Sequence, residues 1–150
     1  KDETLVVLGA SGSTGIAAIQ IGKIIGARVI AVASNSEKQK VAKENGADLT
    51  LGYENLKDKL KEIADGKGID VIFAVNLALV KEFSVVGVFW GAFTRAEPGE
   101  YKENMIELFG WYERGLLKPL IEENYHLSEA ASVLKKILDR GAKGKIVLKP

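Results

Sequence analysis

Hydrophobic and polar positions along the chain fall into short β-rich runs that alternate with helical repeats. Thr4–Ala10 is too uniformly apolar for a strand with one wet face and predicts a central parallel strand. Thr14–Ile25 then places Ala17, Ile21, Ile24 and Ile25 at helical spacing before Gly26. Arg28–Ala33 predicts the next strand, and Ser36 with Gln39 three residues on resembles a capping box opening a helix that ends near Gly46. Asp48–Leu51 reads as a short strand. Asn55 then caps a helix carrying Leu56, Leu60, Ile63 and Ala64 on one face up to Gly66, and Ile69–Val75 forms a fourth strand. This alternation belongs to the α/β class, a doubly wound parallel sheet with helices on both faces, here in one domain over residues 1–150.

The second half is less regular. Phe83–Trp90 reads as a strand apolar on both faces, Thr94–Tyr101 as a loop around Pro98-Gly99, and Asn104–Leu116 as a helix striped by Met105, Leu108, Phe109, Tyr112 and Leu116. Ser128 is the expected N-cap of a last helix with Ala131, Leu134, Ile137 and Leu138 inward, and Lys145–Leu148 is a short β segment. Only about seven residues, Asn76–Glu82, join Val75 to Phe83, whereas a parallel crossover takes a dozen or more. As a helix they would span roughly 10 Å, and extended about 23 Å. The pattern therefore implies an internal deletion, natural or engineered, that removes one helix-strand unit after the fourth strand.

Composition narrows the function classes. The 150 residues carry 21 Lys and Arg against 20 Asp and Glu, a net charge of +1 that argues against broad binding to nucleic acid or an anionic membrane. With no cysteine there is no disulfide and no thiolate zinc site, and no apolar run reaches the roughly 18 residues of a membrane span. An intracellular, cytoplasmic setting fits. The chain opens at Lys1 without a signal-peptide pattern, as a fragment or a trimmed chain would.

The candidate chemistry lies in the first turn, Ala10-Ser11-Gly12-Ser13-Thr14-Gly15. Gly12 and Gly15 stand where a phosphate-binding strand-to-helix turn needs its second and third glycines, with Ala10 in place of the first. At the end of the second strand, where an NAD-binding domain places an acid, stand Ala33, Ser34 and Asn35, with Glu37 beyond the strand and Lys38 after it. A neutral, hydroxyl-bearing pocket beside a lysine suits a 2′-phosphate better than a free diol, which favours NADP(H) over NAD(H). His126, the single histidine, reads as a surface loop residue.

The segments "GASGSTGIAAIQIGK", "GARVIAVASNSEKQKVAKENGAD", "LGYENLKDKLKEI", "FSVVGVFWGAFT" and "GKIVLKP" together resemble the cofactor half of the zinc-independent, zeta-crystallin-like quinone oxidoreductases of the medium-chain dehydrogenase/reductase superfamily. The resemblance implies a Rossmann-like NADP-binding domain in which Ala10–Gly15 carries the pyrophosphate, Ser34, Asn35 and Lys38 surround the 2′-phosphate, and Tyr53 reaches that phosphate. It also implies NADPH-dependent reduction of a quinone-like or other activated carbonyl acceptor by direct hydride transfer, without a metal or a protein nucleophile. A strand near Phe83–Phe93 pairs across a dimer in that family, so a homodimer through this segment is expected. "DRGAKGK" reads as a solvated basic turn whose glycines, with Lys143 or Lys145, could approach the cofactor in the family architecture.

The resembled family is about twice this length and has a substrate domain with no counterpart here, and its usual Asp-Pro-Val-Gly-Gly-like turn after the fourth strand is missing from this sequence. Two alternatives stay open. One is a non-catalytic or engineered Rossmann-like module kept for its fold. The other is an atypical short-chain dehydrogenase/reductase, for which Gly9, Gly12 and Gly15 have the glycine spacing and Tyr53 with Lys57 forms Tyr-x-x-x-Lys, although that pair lies earlier in the chain than those enzymes place it.

Overall fold

The computed structural model describes residues 3–65, 68–73, 90–139 and 141–150. The chain divides into two compact units, one of Lys1–Val75 with Pro119–Pro150 and one of Asn76–Lys118.

In the first unit, β1 (Thr4–Leu8), β2 (Arg28–Val32), β3 (Leu49–Leu51) and β4 (Val71–Phe73) form a parallel sheet in the order β3-β2-β1-β4. The helices α1 (Ser13–Ile24), α2 (Ser36–Glu44) and α3 (Leu56–Ala64) are the connections. Successive residues of the central strands serve opposite faces. Val7, Val29 and Ala31 pack with Ile19 of α1 and Ala42 of α2, while Val6, Ile30 and Val32 pack against Leu56, Leu60 and Ile63 of α3. Both faces are thus covered, which is why β1 and β2 are apolar after their first residues, Thr4 and Arg28, instead of alternating.

The inward face of α1 is not the expected one. Its buried residues are Gly15, Ile16, Ile19 and Gly22, whereas Ile25 is half exposed and Ala17, Ile21 and Ile24 are only partly covered. Close approach to the sheet decides the face, since a Cβ on Gly22 would stand 2.8 Å from Leu5 Cδ2 and 3.0 Å from Val29 Cγ2. Helix α2 is capped one residue earlier than expected. Asn35 Oδ1 accepts from Lys38 N at 2.9 Å, and Gln39 donates its side-chain amide to Ala33 O instead of completing a box with Ser36. Asn55 occupies the N-cap position of α3 in the left-handed region, φ 51°, without a capping bond from its side chain.

The first unit also contains β5 (Ile121–His126), a single 3-10 turn over Leu127–Glu129, α6 (Ala130–Leu138) and β6 (Lys145–Lys149), with β5 and β6 paired in parallel. The sequence pattern gave no sign of β5, whose Glu122, Glu123 and Asn124 mask its strand character. Ser128 is not the cap expected of it. His126 fills that role, its ring accepting from Ser128 N at 3.3 Å while Glu129 accepts from His126 N at 2.8 Å. Nor does the predicted stripe of α6 lie inward, because only Val133 is buried and Leu134, Ile137 and Leu138 are exposed.

In the second unit α4 (Trp90–Ala96) and α5 (Pro98–Glu113) correct the expected strand end at Trp90 and the loop at Thr94–Tyr101. Pro98 opens α5, where the missing N–H leaves no helical bond unmade. Trp90 packs on Phe93 and edge-on to Tyr101, each with ring centroids 5.6 Å apart. Of the predicted stripe, Phe109, Tyr112 and Leu116 are exposed and Leu116 lies beyond the helix end. Phe83–Phe89, Ala74 and Val75 lie outside the described residues.

Candidate functional site

The turn between β1 and α1 carries the candidate site. Gly9 takes φ +68°, Gly12 N donates back to Gly9 O at 3.2 Å, and α1 starts at Ser13 with no side-chain cap and no acid in its first turn. The first N–H groups of a helix have no intrahelical partner and favour an anion.

The two glycines differ in what the backbone demands of them. A Cβ on Gly15 would fall 2.5 Å from Gly9 O and 2.8 Å from Ala10 Cα, so the strand and helix could not meet with a side chain there. Gly12, at φ −76° and ψ 164°, has a conformation open to any residue, and its Cβ would touch only Gly9 O at an ordinary 3.6 Å. Chain geometry alone therefore requires a glycine at Gly15 and not at Gly12. The room at Gly12 matches the close approach that a pyrophosphate needs.

The β3–α3 connection and the 141–144 segment meet this turn, and the residues after β2 lie next in the candidate site. From the β3–α3 connection, Tyr53 brings its hydroxyl to accept from Gly9 N at 3.0 Å, which places Tyr53 at the turn itself. Ser34 and Asn35 follow β2, both exposed, with Asn35 Oδ1 engaged by the Lys38 amide, and Lys38 lies in the first turn of α2. The 141–144 segment, read from sequence as a solvated turn, lies across the glycine-rich turn. Gly144 pairs with Gly12, and its N–H donates to Ser11 O at 3.3 Å. Ser11 is buried.

That segment is anchored by charge. Glu122 on β5 accepts from Lys143 N at 2.8 Å through one oxygen and from Lys136 Nζ at 2.5 Å through the other. Lys136 also donates to the Tyr125 hydroxyl at 2.8 Å. Burial alone would raise the Glu122 carboxyl, but the Lys136 bond, the Lys143 amide and the two ammonium charges bring it below its usual value. The Lys143 ammonium reaches the other way and bonds Glu37 in the first turn of α2. This bond and charge lower the Glu37 carboxyl. Sequence reasoning singled out the turn, Ser34, Asn35 and Lys38 as candidates. It did not find the Gly9–Tyr53 bond or the Glu37–Lys143 pair. The latter joins residues 106 apart, and no local spacing signals it. Among the described residues no group of three or more His, Asp or Glu side chains could hold a metal, and no helix is long and apolar enough to cross a membrane.

Residues 13–77 match the family described as zinc-binding dehydrogenase. The chain is 30% identical to a quinone oxidoreductase-like protein 2 homolog of Nematostella vectensis, over 97% of this chain and 50% of that protein. A probable oxidoreductase from Mycobacterium abscessus superposes with a TM-score of 0.87 at 32% identity, over 99% of this chain and 55% of that one. The quinone oxidoreductase of Thermus thermophilus, solved also in complex with NADPH, has a TM-score of 0.86 at 23% identity, over 99% and 58%. The chain spans about half the length of the curated relatives it matches. The Nematostella alignment runs over 184 positions, of which 97% of 150 residues supplies about 146, so about 38 positions of that protein have no counterpart here.

Proposed function

Since the chain belongs with the quinone oxidoreductases of the medium-chain dehydrogenase/reductase superfamily, as a match to about half of their length, we propose that it is an NADP(H)-binding module. The contrast between Gly12 and Gly15 carries this reading, because it separates a glycine needed for packing from one whose value is the space in front of it. In the proposal the turn Ala10, Ser11, Gly12, Ser13, Thr14 and Gly15 holds the pyrophosphate against the uncapped start of α1. Ser34, Asn35 and Lys38 take the 2′-phosphate, and Tyr53 braces the turn through Gly9. A bound nicotinamide would supply a hydride for direct transfer to a quinone or activated carbonyl acceptor.

Titration with NADPH and NADH tests the reading. Lys38→Ala should weaken NADPH by the roughly 1.5–3 kcal/mol of a hydrogen bond to a charged group and leave NADH nearly unchanged. Equal losses for both cofactors would defeat the assignment. The about 38 unmatched positions favour one second reading, a module that binds cofactor without turnover. A simple quinone added to the NADPH-loaded protein separates the two by the presence or absence of oxidation. The short-chain alternative falls to the family matches, and Tyr53 sits in the β3–α3 turn with its hydroxyl on Gly9. Homodimerisation through Phe83–Phe93 belongs to the same proposal, with Trp90–Phe93 entering it as helix instead of strand.

A further inference from the structure

The Glu37–Lys143 pair is placed between the two halves of the proposed cofactor site. On one side the backbone next to Lys143 is fixed on the glycine-rich turn, through Gly144 N on Ser11 O and the pairing of Gly144 with Gly12. On the other, the Lys143 ammonium lies on Glu37, which neighbours Lys38 in the first turn of α2 and follows Asn35 by two residues. Lys143 N is itself held by Glu122, so the segment that carries this ammonium is anchored whatever its side chain does.

We propose that Lys143 is a second cation of the 2′-phosphate site, and that Glu37 holds it there until the phosphate takes the place of the carboxylate. The inference rests on the NADP(H) reading. A phosphate monoester carries nearly two negative charges near neutral pH and three strong acceptor oxygens, more than Lys38 can neutralise alone. Glu37 is mostly solvent-exposed, 68% at its side chain, so its hold on Lys143 is screened and readily exchanged. A ribose diol offers no such charge and leaves the pair intact. Selectivity for the phosphorylated cofactor then has, beside the part from Lys38, a part set by an exchange of anions on Lys143, and Glu37 opposes NADPH both by occupying Lys143 and by repelling the phosphate.

Two variants of opposite sign test this in the 150-residue chain, with Kd for NADPH and NADH measured by calorimetry at fixed salt. Lys143→Gln should weaken NADPH about tenfold and move NADH by less than twofold, while Lys143→Arg keeps most of the affinity. Glu37→Gln should tighten NADPH severalfold and leave NADH unchanged. The same ordering should hold for adenosine 2′,5′-bisphosphate against adenosine 5′-monophosphate. A purely structural pair would instead lower the melting temperature in both variants without changing the NADPH to NADH ratio, and that result overturns the proposal. Lys38→Ala separates the anion exchange from the 2′-phosphate site itself. If it discriminates between the cofactors and Lys143→Gln does not, only the exchange is lost; if it fails too, the NADP(H) site falls with it.

Discussion

At the scale of single residues, Gly12 and Gly15 make opposite predictions. Gly12→Val meets no backbone obstacle at its Cβ, so the fold should persist with a near-normal melting profile while binding of either cofactor is lost to the side chain in the pyrophosphate's path. Gly15→Ala forces a Cβ to 2.5 Å from Gly9 O and should destabilise by about 1–3 kcal/mol, as overpacking does. Thermal melts with NADPH titration of each variant read both effects, and a folded Gly12→Val that binds normally would show the turn to be structural only. The spacing of these glycines was visible in the sequence because the turn is local. Tyr53 on Gly9 and Gly144 on Ser11 were not, since each depends on a chain reversal that no short window records. Gly144 shows why its residue type matters only once the fold is known. It takes φ +79°, and a Cβ would sit 2.6 Å from Leu120 O.

At the scale of elements, Asp48 ties three of them together. It accepts from Lys23 in the last turn of α1 at 2.8 Å and from Val29 N on β2 at 2.7 Å, immediately before β3. Burial would raise this carboxyl, but the Lys23 and Val29 bonds and the Lys23 and Lys43 charges bring it below its ordinary value. A carboxyl lowered on folding contributes stability that is complete above its unfolded pKa, about 3.9, and is lost as pH falls through the folded value. The melting temperature should therefore drop below about pH 4, and the drop should be shallower in Asp48→Asn. Parallel profiles for the two proteins would remove Asp48 from the acid transition. The element reading succeeded where one residue type dominated, as in β1, β2 and the α3 face. It missed the face of α1 because Ile, Ala and Gly surround that helix, and close contact through Gly22 decides what no hydrophobic period can. Pro98 was read as a loop signal although the same residue suits the first turn of a helix.

At the scale of the whole molecule, the second unit leaves Trp90, Ile106, Phe109 and Tyr112 more than half exposed. Apolar surface is driven towards cover at roughly 25 cal/mol per Å². With the Phe83–Phe93 segment in the same unit, sedimentation equilibrium should show a concentration-dependent dimer, dissociated or precipitated by Val86→Lys. A monomer at every concentration, indifferent to that substitution, would refute the dimer. The joining of Gly144 to the turn at Ser11 and Gly12 also has a meaning in time. During synthesis the glycine-rich turn emerges about 130 residues before its last neighbour, a lag on the order of ten seconds at the usual rate of elongation. A nascent chain can thus present a formed pyrophosphate turn while Lys143 is still untranslated. In that interval it should keep the preference for the phosphorylated dinucleotide that Lys38 supplies and lack the further, roughly tenfold part that waits for Lys143.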